Sequence, residues 1–475
     1  MQNLNGFDLP PDEFRALGHH VVDWIADYLR DTRQYPVVSR IEPGGLIDSL
    51  PKSGPEEPES MSAILADFEC QIMPAITHWN HPRFHAYFAN SSSAPAILAE
   101  MLTGALNING MLWKSCPAAT ELEQVTLDWL RQWIGLPEAD RWFGIIYDTA
   151  SISTLHAIAA AREQADPASR LEGAGKNLTV YFSEHAHSSV EKSAISIGVG
   201  QRNTRKVGFD DRFQMRPDLL EAAIAQDIAD GKRPFCIVAA IGTTATTAVD
   251  PVPAIAAIAA RHNCWLHIDA AYAGPAAIVP ELKHHFDGWE RADSIVLNPH
   301  KWLATPSDCS VFYTRKPDIL KRAFSLVPDY LKTQEDSKVV NYMDYGVQLG
   351  RRFRALKLWF VMRAFGRERL AAMIREHVRL AQRVAGWVNA DPRVEVASPV
   401  PFSLVNFRLK SSDAANVELM NRVNDGGVAF LSPVVLRAQT CLRMAIGDIK
   451  TTEADLEVTW QAIQAAALPM DSERT

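Results

Sequence analysis

Between residues 143 and 314 six short apolar runs recur: "FGIIY", "LTVYF", "FCIVAAIG", "CWLHID", "SIVLN" and "SVFYT". Ala-rich or amphipathic stretches separate most of them. Near-continuous apolar runs are the mark of strands covered on both faces, and their alternation with helices is the mark of a mainly parallel sheet. This pattern confines the chain to an α/β architecture. It also says where to look for chemistry, because open α/β sheets hold ligands at the carboxyl ends of their strands.

The flanks are of other kinds. With 475 residues the chain is too long for one core, so it is divided into an N-terminal helical segment (1–88), a large domain (89–357) and a smaller C-terminal α/β domain (358–475). Phe14, Leu17, Val21, Val22, Ile25 and Leu29 recur at helical spacing after Pro11 and Asp12, which suit a helix start. A proline-broken linker, "PKSGPEEPES", precedes a second helix expected over 61–76. These helices read as lying against another body. In "TELEQVTLDWLRQWIGLP", Thr120 and Glu123 form a capping-box pattern. Leu122, Val125, Trp129, Leu130 and Trp133 form the expected buried face, and Gly135 and Pro137 the stop. After "RALKLWFVMRAF" come a helix, "RLAAMIREHVRLAQRVAGWV", two strands, "SLVNFRL" and "CLRMAIG", and a closing helix.

Composition narrows the function. A hydrophobic content of 47% supports a large core, and a net charge of −8 with both signs dispersed argues against nucleic acid or an anionic membrane as the main partner. The start lacks a basic region followed by an apolar one, and no apolar run approaches the ~20 residues of a spanning helix. Six scattered cysteines without a CxxC read as reduced thiols of a cytoplasmic protein, with no metal site.

Polar residues gather at the strand ends. "CWLHID" ends in Asp269, and "SIVLN" is followed by His300 and Lys301. "FGIIY" leads into Thr149, Ala150 and Ser151 at a helix start, and "LTVYF" into His187. Lysine is costly to bury, so one placed directly after a buried strand is either at the surface or chemically employed. Pyridoxal phosphate uses this whole set. A lysine forms a Schiff base with its aldehyde, a carboxylate keeps its ring nitrogen protonated, a flat group stacks on the ring, and a helix N-terminus binds its phosphate. Singly, each residue also has a plainer reading: a cap, a core histidine, a strand-end aspartate, a solvated lysine.

"NPHKW", "HIDAAYAG", "HAHSSVEKSA" and "LGRRFRALKLWF" resemble the group II pyridoxal-phosphate amino-acid decarboxylases, above all their aromatic L-amino-acid branch. The likeness extends from "DEFRALGHHVVDWIADY" to "CLRMAIG". It implies a type I, aspartate aminotransferase-like fold with a mainly parallel seven-stranded sheet. It also implies a homodimer with shared active sites, the N-terminal helices crossing the partner. By position, Lys301 resembles the Schiff-base lysine and His300 its phosphate-side neighbour. Asp269 resembles the ring-nitrogen partner, Ala271 the small residue beneath the ring and His187 the stacking imidazole. Thr149, Ala150 and Ser151 match the phosphate ligands, Thr244 stands beside the cofactor, and Tyr342 falls on the catalytic-loop tyrosine.

The expected reaction is decarboxylation of an aromatic L-amino acid (tryptophan, tyrosine, phenylalanine or dihydroxyphenylalanine) to its amine, with Tyr342 donating the proton to Cα. The segment from Pro328 to Tyr345 reads as a lid. Trp79, Tyr87, Phe88, Asn109, Met111 and Gly350 are the expected substrate residues, Gly350 leaving room for an indole. Ala89, Asn107, Asn109 and Met111 depart from the usual aromatic-selective pattern. Arg443 is a further candidate for binding a carboxylate or phosphate. The alternatives are oxidative aldehyde synthesis, decarboxylation of a non-aromatic amino acid, and a catalytically silent scaffold that would have lost the lysine or its aspartate. A nicotinamide enzyme is disfavoured because no GxGxxG follows any expected strand.

Overall fold

The computed structural model describes residues 8–88, 90–326 and 333–467. Ala89 and residues 328–332 of the expected lid lie outside the described residues. All six apolar runs are strands of one sheet, joined by a seventh. In chain order they are β1 (Phe143–Tyr147), β2 (Leu178–Ser183), β3 (Thr204–Val207), β4 (Arg233–Ala240), β5 (Trp265–Asp269), β6 (Ser294–Leu297) and β7 (Ser310–Thr314). Across the sheet the order is β1-β7-β6-β5-β4-β2-β3. The strands from β6 to β3 pair in parallel, and β7 is antiparallel to both of its neighbours. The sequence pattern missed β3 because "TRKV" is an edge strand with a single partner. Arg205 and Lys206 there keep the open edge charged.

The helix expected to start near Thr120 runs over Pro117–Ile134, with Pro117 in its first turn and Gly135 left-handed at its end. Its buried face is turned from the expected one. Thr120, Glu123, Leu127, Leu130 and Arg131 are buried, whereas Val125 and Trp129 are exposed. The reason is ionic: Glu123 Oε1 accepts hydrogen bonds from the Ile146 N–H (2.8 Å) and from Arg351 Nη2 (2.7 Å), so a carboxylate takes a core position.

A second, antiparallel sheet of β8 (Val394–Val396), β9 (Leu404–Leu409), β10 (Ser432–Leu436) and β11 (Gln439–Ala445) has the order β10-β11-β9-β8. The helix Arg354–Ala390 spans both cores and breaks its helical geometry at Gly366 (φ 66°, ψ 169°). Leu358, Val361, Leu370 and Ile374 pack in the core of the large sheet, and Leu380, Val384 and Val388 in that of the small one.

The N-terminal helix, Pro11–Arg30, buries no residue, and Phe14 is 65% exposed. Trp24 stacks on Tyr28 and meets Phe68 edge-on, while Arg33 grips Asp455 of the helix Glu453–Ala467 through two 2.8 Å bonds. On the helix Ala94–Leu106, Leu98, Met101, Leu102 and Leu106 face outward. Among the described residues no helix is long and apolar enough to cross a membrane.

Glu123 and Arg351 are both nearly inaccessible. A Glu123→Ala variant leaves the guanidinium buried without its carboxylate, which should cost ~3–5 kcal/mol. The urea midpoint should fall accordingly; an unchanged midpoint would show that the pair is dispensable.

Candidate active site

Strand direction places the chemistry. Asp269 is the last residue of β5 and pairs with Val296 of β6. One residue beyond β6, Asn298 opens a short helical turn, Pro299–Trp302, which carries His300 and Lys301. The loops are tied together: the Asn298 N–H donates to the Ala271 carbonyl (3.0 Å), and the Ala271 N–H to Asp269 Oδ1 (3.0 Å). From β4 the chain turns at Gly242, whose φ of +87° and 2.7 Å approach to Ala273 Cβ leave no place for a side chain.

These ends enclose a cavity of about 190 Å³. Lys301, Asp269, Ala271 and His300 line it from the β5 and β6 side. Thr149, Ala150 and Ser151 line it from the start of the helix Ala150–Ala165, His187 from beyond β2, and Thr244 from beyond β4. Phe88 is the one predicted substrate residue that reaches it. Gly242, Thr243, Tyr272 and Asn298 also line it and were not singled out from sequence. Asn298 and Tyr272 lie inside the motifs "NPHKW" and "HIDAAYAG", which are the sequence signal that points to them.

Burial lowers the pKa of Lys301, the Asp269 carboxylate opposes that, and the Arg443 guanidinium adds to it. Burial also lowers His187, opposed by Asp269. The His187 Nδ1 accepts the Ser189 N–H (3.2 Å), so the neutral ring carries its proton on Nε2. His300 is pushed down to about 4, mainly by burial and then by Lys301. Its Nδ1 accepts the Cys309 N–H (2.9 Å). Arg443 donates from Nη2 to the Thr244 carbonyl (2.8 Å), its buried Nε has no partner, and burial pulls it down to about 10.

Tyr342 does not line this cavity. It is 1% exposed, its hydroxyl faces the Gly144 carbonyl at 3.4 Å, and its ring lies under the Arg351 guanidinium at 4.4 Å. It borders a separate cavity beside β1, with Trp142 and Tyr313. Packing against the Glu123–Arg351 pair holds it there. Trp79 and Tyr87 stack on each other at the surface (5.7 Å, 11°). Asn109, Met111 and Gly350 form a cluster outside the cavity, the Asn109 Oδ1 accepting the Arg351 N–H (3.0 Å) and its Nδ2 lying 3.7 Å from Met111 Sδ.

The residues fit a phosphorylated aldehyde cofactor. The amine of Lys301 opens onto the cavity, a carboxylate sits at the adjoining strand end, and a helix N-terminus presents free N–H groups. The Asn298 Oδ1, buried and without a partner, is a polar atom awaiting a ligand or water. Fold and cavity together define a pyridoxal phosphate enzyme of the type I fold.

The pyridoxal-dependent decarboxylase conserved domain matches residues 43–410. Tyrosine decarboxylase 4 of Petroselinum crispum is 40% identical over 475 residues, covering 96% of this chain and 93% of its own. Phenylacetaldehyde synthase of Arabidopsis thaliana is 39% identical over 489 residues, covering 98% and 99%. The crystal structure of Oryza sativa TDC with pyridoxal phosphate and tryptamine superposes with a TM-score of 0.94 at 36% identity, covering 97% of this chain and 99% of that one. The chain belongs to the pyridoxal-dependent decarboxylase family, and its cofactor is pyridoxal phosphate.

Because burial lowers Lys301 below its ordinary 10.5, its amine should be free to attack the aldehyde at lower pH than a surface lysine. The rate at which apoprotein captures pyridoxal phosphate, followed by absorbance against pH, should reach half its maximum below 10.5. A midpoint at or above that value would contradict the placement.

Proposed function

We propose that the protein decarboxylates an aromatic L-amino acid to the corresponding amine and CO2. The observation that carries this is the convergence of Lys301, Asp269, His187 and the Thr149–Ser151 helix start on one cavity. Relatives named for tyrosine decarboxylation and a structure holding tryptamine support an aromatic substrate. The bound cofactor supplies an electron sink for the pair released when the Cα–carboxylate bond breaks. Lys301 would hold it, Asp269 would pair with its ring nitrogen, His187 would stack on its ring, and the helix start would bind its phosphate. The Arg443 guanidinium stands near Phe88 with a free Nε, suited to a substrate carboxylate.

A proton must replace CO2 at Cα. Tyr342 and Tyr345 are both committed to packing, the Tyr345 carbonyl accepting the Tyr147 hydroxyl. That leaves Tyr330, outside the described residues, as the tyrosine of this stretch to test for the step.

The chain acts as a homodimer in this reading. The exposed apolar faces of Pro11–Arg30 and Ala94–Leu106 support it. Trp79, Tyr87, Asn109, Met111 and Gly350 then serve the second copy's cavity. All six cysteines are free thiols, consistent with a cytoplasmic protein.

The phenylacetaldehyde synthase relative suggests a second reading: an aromatic L-amino acid, O2 and water would give the aldehyde, CO2, ammonia and hydrogen peroxide. Mass spectrometry of products formed in air from a pool of L-amino acids separates the two. An aromatic amine is expected, and an aldehyde as main product would favour the second reading. Lys301→Ala should abolish turnover and the covalent cofactor absorbance; retained turnover would sink both readings. Tyr342→Phe should leave the amine-to-aldehyde ratio as it was, whereas Tyr330→Phe should shift it toward aldehyde. The opposite pattern would restore the step to Tyr342.

A further inference from the structure

Behind Lys301 four rings lie in a row. Phe88, on the cavity wall, stacks on Tyr272 with centroids 3.8 Å apart and planes 17° apart. Tyr272 stacks on Trp302 (4.7 Å, 9°), and Trp302 is parallel to His377 within 4° at 6.5 Å. Lys301 Nζ lies 5.4 Å from the Phe88 centroid. Trp302 is wholly buried and follows Lys301 in the turn Pro299–Trp302. The row thus meets Lys301 twice, through the chain and through the Phe88 ring.

The far end is fixed by hydrogen bonds. The Trp302 Nε1–H donates to His377 Nδ1 (2.9 Å), and the His377 Nε2–H donates to the Asp448 carbonyl (3.1 Å). Both imidazole nitrogens are used, one as acceptor and one as donor, which defines a single neutral tautomer. The middle of the row is pinned as well: the Tyr272 hydroxyl bonds to Ser403 Oγ, which donates to the Ile446 carbonyl (2.5 Å). An indole has one N–H, and turning it away from His377 would orphan that donor in the core, an expensive outcome. The plane of Trp302 therefore follows His377. Asp448 and Ile446 follow β11, so the row ends in the small domain.

We propose that His377 is a positioning residue for Lys301. It touches neither the cavity nor the lysine. By holding the Trp302 indole it orients the turn that carries Lys301 and the rings on which its amine rests, and it keeps them in register with the small domain. The proposal rests on Lys301 being the residue that binds the cofactor.

The test compares wild type, His377→Ala, His377→Asn and Trp302→Phe. The Asn carbonyl still accepts the indole N–H; the Trp302→Phe ring still stacks but has no N–H to offer. Apoprotein is mixed with pyridoxal phosphate, the linkage is trapped with borohydride at timed intervals, and mass spectrometry locates it. Loss of about one hydrogen bond's worth of positioning should slow capture at Lys301 roughly tenfold in His377→Ala and Trp302→Phe, with most of the rate restored in His377→Asn. In the loaded enzyme kcat should fall at little-changed KM, and the pH at which the bound cofactor's absorbance titrates should move. A lowered thermal midpoint with wild-type capture and titration would reduce His377 to a packing role and overturn the proposal. If His377→Ala does not fold, wild-type capture by Trp302→Phe overturns it equally. Attachment at a lysine other than Lys301 would instead refute the cofactor assignment.

Discussion

The pairing of β5 with β6 governs the rest of the site. Because the two strands run parallel with Asp269 opposite Val296, a carboxylate and, just beyond, an amine emerge at the same edge of the sheet. A shift of one residue would send the side chains of either strand to the opposite face. The register is held by close approach as well as by hydrogen bonds. At Gly274 a Cβ would stand 2.5 Å from Leu297 Cβ, so the turn after β5 lies directly against β6. Burial alone would drive Lys301 toward neutrality, and Asp269 tempers that drive. The amine is thus neither a solvated ammonium nor an abandoned one.

The sequence made the strands of the large sheet legible wherever burial was two-sided. β3 and β10 lie at edges and carry charged or exposed residues, so their apolar signal thins and the pattern is lost, whereas β1, also at an edge, keeps a continuous apolar run. The same limit explains the rotated face of Pro117–Ile134. Counting apolar residues finds the core side only if charges stay outside, and Glu123 goes inside because Arg351, more than two hundred residues away, meets it there. No local pattern announces such a pair.

The cavity was legible for a related reason. Lys301, Asp269, His187 and Thr149–Ser151 all sit at strand ends, so topology brings them together without any detail of packing. Tyr342 was not legible because its position depends on side-chain packing. A tyrosine in a polar stretch reads as a free loop residue, yet it fits under a guanidinium and against β1. The apolar stripe of Pro11–Arg30 was seen in sequence and is seen again as a helix with no buried residue, so one chain by itself leaves that stripe without a core.

The helix Arg354–Ala390 enters one core and leaves through another without an intervening loop, apart from the break at Gly366. A connection of this kind is intolerant of changes in length. Each residue inserted between Ile374 and Leu380 would turn everything downstream by about 100° around the helix axis and advance it by ~1.5 Å. The small sheet, with Ser403, Ile446 and Arg443, would swing away from Tyr272 and Thr244 as a block. Descendants of this chain are thus free to lengthen their surface loops, but in this segment they are confined to exchanging one residue for another.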